Sequence, residues 1–336
     1  MLALVPPEDG FVRGGVTVGR GVTVVVAGVA GVAQTVPVDG FPVHYVPVRY
    51  PRHGLRLEVA GVGLNVARVL RALGTSVSLA ALVGRDPAGL LVRAELTRLG
   101  LLGGDQTAGG DLSADGGPAI GSGVLEVGST PTSVVLVEPG GARQVNTDLK
   151  DLPDAEYPAT VFNALLAGAR LAVVSTIGFA RPLLTMARSA GVPVAVDVQT
   201  VGGVDDACLR PWLEAADVLF CSAERLGTDP ATFAADVLKR FPARIIVVGM
   251  GADGCLLGIR GQAVRRFPAI APHGVVDTTG AGDALFAGFL HYWLATGDAA
   301  MAADHAVLVA GCAVGTPGAG THVDAGHIAD LRTRTR

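Results

Sequence analysis

The sequence predicts an α/β protein: a doubly wound, mainly parallel sheet with helices on both faces, plus a small β layer. Three observations carry this. Short β-branched apolar runs alternate with helix-periodic segments along most of the chain. The runs are apolar at nearly every position, as strands covered on both faces require. Two stretches of alternating residues break the pattern and read as short antiparallel strands.

Taken in order, residues 1–21 lack clear periodicity and read as an N-terminal extension. Val22 to Ala27 is a strand; the apolar run ends at Ala33, too short for a bilayer, where about 20 residues are needed. Residues 37–60 hold Pro37, Pro42, Pro47 and Pro51 among alternating Val, Tyr and Leu, and form the first segment of the small β layer. Val62 to Leu73 is a helix with Val66, Val69, Leu70 and Leu73 on one side. Ser76 to Val83 is a strand, and Pro87 to Gly100 a helix closed by glycine. Residues 119–137 form the second small-layer segment. Strands follow at Leu171 to Ser175, Pro193 to Asp197, Asp217 to Cys221 and Arg244 to Val248. Helices at Pro182 to Ala190 and Ala231 to Phe241 lie between them. One domain is expected over residues 22–331, with 332–336 a solvated, Arg-bearing tail. Ligands of such sheets bind beyond the carboxyl ends of the strands.

Composition excludes several functions. Of 336 residues, 50% are hydrophobic and 17% charged, as in a core-rich soluble protein. A net charge of -4 argues against nucleic-acid binding by bulk electrostatics. The chain has two lysines, Lys150 and Lys239, and neither follows a glycine-rich loop. A Walker-type phosphate loop and the protein-kinase lysine are thereby excluded. The cysteines, Cys208, Cys221, Cys255 and Cys312, are dispersed and read as free thiols of a reducing compartment. With no basic leader segment, a cytoplasmic location is expected, with no membrane partner.

The most informative segment is Asp277-Thr278-Thr279-Gly280-Ala281-Gly282-Asp283, followed by the apolar run Ala284 to Leu290. A β-like run, His273 to Val276, leads into it. Small residues at a helix start leave amides of Gly280, Ala281 and Gly282 uncovered, and the helix dipole adds to them a site for phosphate. Asp283 sits just inside that start. A carboxylate there can take the proton of a hydroxyl that attacks phosphorus.

Asp277 to Leu290 resembles the C-terminal signature of the PfkB, or ribokinase-like, carbohydrate kinases. Gly61-Val62-Gly63-Leu64-Asn65-Val66-Ala67-Arg68, running on through Val83-Gly84-Arg85-Asp86 to Gly89, resembles the N-terminal one. The resemblance spans roughly Val22 to Leu331. It implies a ribokinase-like fold whose small β layer is a lid over the sugar. It also implies ATP-dependent phosphorylation of a hydroxyl on a small sugar or nucleoside, with Asp283 as base. An acceptor that is itself a phosphosugar, of the fructose-1-phosphate or tagatose-6-phosphate kind, is the alternative; a non-catalytic ligand-binding relative is a second.

Further roles follow from the same resemblance. Gly61 and Gly63 let the substrate lie against backbone, and Asn65 either bonds the substrate or braces the loop. Glu224 of Cys221-Ser222-Ala223-Glu224 matches the acidic end of a motif tied to Mg²⁺, although Cys221 stands where asparagine is usual. Thr278, Gly251, Gly254 and Gly318 fall in segments that border the nucleotide, though Gly251 and Gly254 equally suit a plain hairpin. Asp277 and the Gly318 loop are where several relatives hold K⁺, and lids in this family pair into homodimers. The carboxylate that many sugar kinases carry after the first strand is missing: Ala33 and Gln34 stand there. His44, Tyr45, Arg49, Tyr50 and Arg143 are the candidates to read the acceptor instead.

Overall fold

The computed structural model describes residues 23–102, 123–140, 142–318 and 323–334. In chain order its elements are β1 (Thr23–Ala27), β2 (Gly31–Pro37), β3 (Arg56–Ala60), α1 (Val62–Ala72), β4 (Ser76–Gly84), α2 (Pro87–Arg98), β5 (Val124–Val127), β6 (Thr132–Val137) and β7 (Arg143–Asp148). Then come α3 (Ala159–Leu166), β8 (Ala169–Ser175), α4 (Arg181–Ser189), β9 (Val194–Thr200), α5 (Arg210–Ala215), β10 (Val218–Ser222), α6 (Pro230–Arg240) and β11 (Ile245–Gly249). The chain closes with β12 (Cys255–Ile259), β13 (Arg265–Phe267), α7 (Ala281–Thr296), α8 (Ala299–Ala313) and α9 (Ala325–Arg334).

A nine-stranded sheet runs β13-β12-β11-β10-β9-β8-β1-β4-β5. Its pairs are parallel from β11 to β5, and β12 and β13 add an antiparallel edge. The strand alternation divides the core. Val24 and Val26 of β1 pack with α1, α7 and α8, while Val25 and Ala27 pack with α3, α4 and α6 on the other face. Helix α7 is buried along Ala284 to Tyr292 on nearly every side, as an apolar helix between the sheet, α1 and α8 must be. No helix among the described residues is long and apolar enough to cross a membrane.

A second sheet has the order β3-β2-β6-β7. Its composition differs from expectation. Strand β2 precedes the first expected segment, and 38–55 contains no strand, since its prolines remove ladder donors. The second segment is divided: β6 lies in the small sheet, but β5 pairs in parallel with β4 at the edge of the large one. Strand β7 completes the layer beyond the expected boundary. Register places Arg56, Thr35, Val135 and Val145 on one face, together with Glu58 and Arg143 two residues along their strands.

Two further expectations are corrected. His273 to Val276 is not a strand, because Gly274 takes φ +74° and the chain turns; Val276 and Asp277 then donate to the Val314 carbonyl. The C-terminal tail is helical through Arg334, and Arg332 pairs with Asp304 of α8. Residues 1–22, 103–122 (with the start of the second expected segment) and 335–336 lie outside the described residues, as do Gly141 and 319–322.

Candidate active site

Helix α7 starts abruptly. Gly280 takes the left-handed conformation at φ +74°, and no side chain caps the helix. The Ala281 amide turns back to the Thr278 carbonyl at 3.2 Å, so it departs from the expected anion hole. No described protein group accepts from the amides of Gly280, Gly282 or Asp283. Three uncommitted donors therefore lie at the positive end of a sixteen-residue helix.

Asp283 sits in the first turn of α7. Its Oδ2 accepts from Asn65 Nδ2 at 2.7 Å. Asn65, in α1, is itself held: its Oδ1 accepts from Arg68 Nη1 at 3.3 Å. Arg68 is buried and also donates to the Val59 carbonyl at 2.8 Å and to Glu95 at 3.2 Å. The arginine thus fixes which end of the amide faces Asp283. Burial pushes the Asp283 carboxyl up to about 6, against the opposing pull of the Asn65 hydrogen bond and the charges of Arg143 and Arg68. Such a carboxylate is ionised at neutral pH and still a useful proton acceptor.

A second carboxyl feels the charge of the first. Asp197, in the middle of β9, is buried and, among the described residues, accepts from the Gln199 amide at 2.7 Å. Burial, then the Asp283 charge, raises it to about 8. One acid is therefore ionised and its neighbour neutral, the arrangement two close carboxyls settle into.

Asp277 closes the other side of the turn. Its Oδ1 accepts from the Thr279 amide at 2.9 Å, and its Oδ2 from Arg56 Nη2 at 2.7 Å and the Gly318 amide at 3.1 Å. Burial would raise this carboxyl, but those hydrogen bonds and the Arg56 charge hold it below its usual value. Arg143 of β7 donates to Thr278 Oγ1 at 3.2 Å. Both arginines thus reach the turn from the inner face of the small sheet. Both Asp277 oxygens are engaged by the chain's own donors and its charge is matched by a guanidinium. The carbonyls of 319–322, the rest of the Gly318 loop, lie outside the described residues.

The two glycines before Asn65 have a packing reason as well as the expected one. A Cβ on Gly63 would lie 2.6 Å from the Gly28 carbonyl carbon, and one on Gly61 2.5 Å from the Val29 oxygen. They let α1 start directly against the end of β1, and Asn65 is the member of that motif that reaches the site. Gly318 takes φ +91°, and a Cβ there would meet Glu58 Oε1 at 2.6 Å. Glu58 is paired in register with Ala33, so this face of the small sheet does carry a carboxylate, one strand away from the expected position.

Glu224 and the Gly251 turn follow β10 and β11, whose ends α7 covers: Gly282 lies against Phe220 and Gly249 against Leu285. Glu224 is exposed. Cys221 is fully buried in the opposite core and takes no part. No three carboxylates converge among the described residues. Mg²⁺ commonly uses one or two carboxylates with waters and substrate phosphates, so Glu224 fits that ion. Gly251 has open space where a Cβ would be, whereas Gly254 is tight against the backbone of Phe267 to Ala269 and serves the hairpin. His44, Tyr45 and Tyr50 are exposed, and Arg49 is paired with Asp39. Arg56 and Asp197 carried no expected role; a cation in a lid strand and an isolated acid at a strand end were the available signals.

Comparison with known proteins agrees with this geometry. Residues 120–325 match the model of the pfkB family of carbohydrate kinases. The acarbose 7(IV)-phosphotransferase of Actinoplanes sp. is 32% identical over 276 residues, covering 81% of this chain and 85% of its own. The ATP-dependent ribose-1-phosphate kinase of Halopiger xanaduensis is 30% identical, covering 79% and 83%. Among solved structures, a microbiome-derived acarbose kinase superposes with a TM-score of 0.76 at 27% identity, covering 94% of this chain and 100% of that one. The chain belongs to the pfkB carbohydrate kinase family. It is a kinase of the ribokinase-like fold that transfers a phosphoryl group from ATP to a sugar hydroxyl.

Proposed function

We propose that Asp283 is the general base of this kinase and that its acceptor is a sugar of glycoside size, of the kind acarbose represents. The observation that carries the base assignment is the Asn65–Asp283 hydrogen bond of 2.7 Å beside three uncommitted amides. In the reaction, the acceptor hydroxyl attacks the γ-phosphorus of ATP and gives its proton to Asp283. The bond from that phosphorus to the β,γ-bridging oxygen breaks, and ADP leaves. The amides of Gly280, Gly282 and Asp283 stabilise charge on the transferred group, each worth roughly 3–4 kcal/mol when well placed. Glu224 would hold Mg²⁺, which neutralises phosphate charge when bound. Thr278, Gly251 and Gly318 border the nucleotide.

The acceptor class rests on two acarbose-directed relatives and on exposed Tyr45 and Tyr50 on the segment that leads into β3. Ala33, where a carboxylate would grip a small sugar, and Glu58 opposite it support a rebuilt acceptor site. Arg143 favours a second reading, a phosphosugar acceptor, in keeping with the ribose-1-phosphate kinase likeness. Leu57 and Val134 stand exposed in the small sheet, where a homodimer would pair its lids.

The test is ADP release over acarbose, ribose, ribose 1-phosphate, fructose 1-phosphate and inosine. We expect the highest kcat/KM with acarbose and a loss of about 10²–10⁴-fold in Asp283→Asn. Equal turnover by the variant would sink the base assignment; ribose 1-phosphate as best acceptor would favour the second reading.

A further inference from the structure

We propose that His273, Cys312 and His327 form a binding site for a borderline-soft divalent cation of the zinc class. Among the described residues this is the group of three potential ligands whose donor atoms converge, all within 4.8 Å of one another. The three come from separate segments: the turn leading to Asp277, the last turn of α8, and the first turn of α9. The Nε2 atoms of the two stacked imidazoles lie 2.9 Å apart, at hydrogen-bond distance. A tetrahedral zinc ion would separate such ligand atoms by about 3.3–3.6 Å, so it would replace that hydrogen bond, the imidazoles opening slightly and the widest separation in the group, up to 4.8 Å, closing.

Other features fit. A Cβ on Gly315 would stand 2.8 Å from His273 Cβ, so a glycine leaves the ring its place. Cys312 is 2% exposed, while both histidines are exposed. A cavity of about 340 Å³, lined by His327, Asp330, Leu331 and Thr333, borders one of the three ligands. Two imidazole nitrogens and one thiolate suit zinc and not Mg²⁺, and leave a fourth position for water. The ion would tie α8 and α9 to the segment where Val276 and Asp277 donate to the Val314 carbonyl. The inference does not depend on which acceptor the kinase uses.

The test uses the full chain after chelator treatment, titrated with Zn²⁺ against a chromophoric chelator and with Co²⁺ by visible absorption. We expect one equivalent per chain, tetrahedral cobalt bands with thiolate charge transfer, and a higher Tm. His327→Ala, on an exposed helix face, should fold, keep its ADP release, and bind Zn²⁺ at least about tenfold more weakly. Cys312→Ser should lose the charge-transfer band. Asp283→Asn should bind Zn²⁺ as the parent does, which separates this site from the kinase chemistry. Absence of stoichiometric binding to the parent chain, or equal affinity in His327→Ala, would overturn the proposal.

Discussion

Arg56 Nη2 donates to Asp277 Oδ2 at 2.7 Å, joining the small sheet to the turn that begins α7. Asp277 is 12% exposed and Arg56 39%. The contact spans two layers that no backbone ladder connects, since β3 pairs only with β2. With the Arg143–Thr278 contact, it ties the small sheet to the start of α7. It also supplies the positive charge that the Asp277 carboxylate needs.

Removing that charge should therefore matter twice. Arg56→Met is expected to lower kcat/KM by about tenfold to a hundredfold through misplacement of the turn. Initial rates of Arg56→Met should respond more strongly than those of the parent chain when K⁺ replaces tetramethylammonium, since the cation can then take over the charge Arg56 supplied to Asp277. Steady-state rates in the two salts check this.

The Asp283 environment fixes a pH dependence. In the proposed base role Asp283 works ionised, and its carboxyl is raised to about 6, so kcat/KM should fall as pH drops through that value. The Asn65 amide stabilises the ionised form. Asn65→Leu should move this acid limb to higher pH, and a pH–rate profile of both proteins reads the shift directly.

How much of this the sequence disclosed follows from where the information lies. The Asp277–Asp283 turn and the Asn65 motif are local patterns, and their residue types state their chemistry. The alternation that gives the large sheet is likewise local. The small sheet was legible only in outline, because an apolar run such as Val22 to Ala33 does not reveal that β1 and β2 belong to different sheets. The meeting of Arg56 with Asp277 and the neutralisation of Asp197 are created by folding across long separations, and no spacing along the chain encodes them.

Asp197 yields a prediction about stability. Its folded carboxyl, at about 8, lies above the ordinary 3.8, so the native state holds a proton that the unfolded chain releases. Stability must then fall as pH rises between those values. Asp197→Asn lacks this term. Its stability relative to the parent should increase from pH 4 to pH 9, as urea unfolding at the two pH values would measure.

Gly63 offers a packing test. An added methyl would press on Gly28 backbone atoms 2.6 and 2.7 Å away, which cannot rotate aside. Gly63→Ala should destabilise by about 1–3 kcal/mol and displace Asn65 from Asp283, lowering kcat along with Tm. Calorimetry and turnover measured on the same preparation would check it.

Asn65 and Asp283 stand 218 positions apart in the chain. During synthesis residue 283 emerges long after its partner, so a ribosome-bound or prematurely terminated product ending before α7 carries Asn65 and Arg68 with nothing to orient.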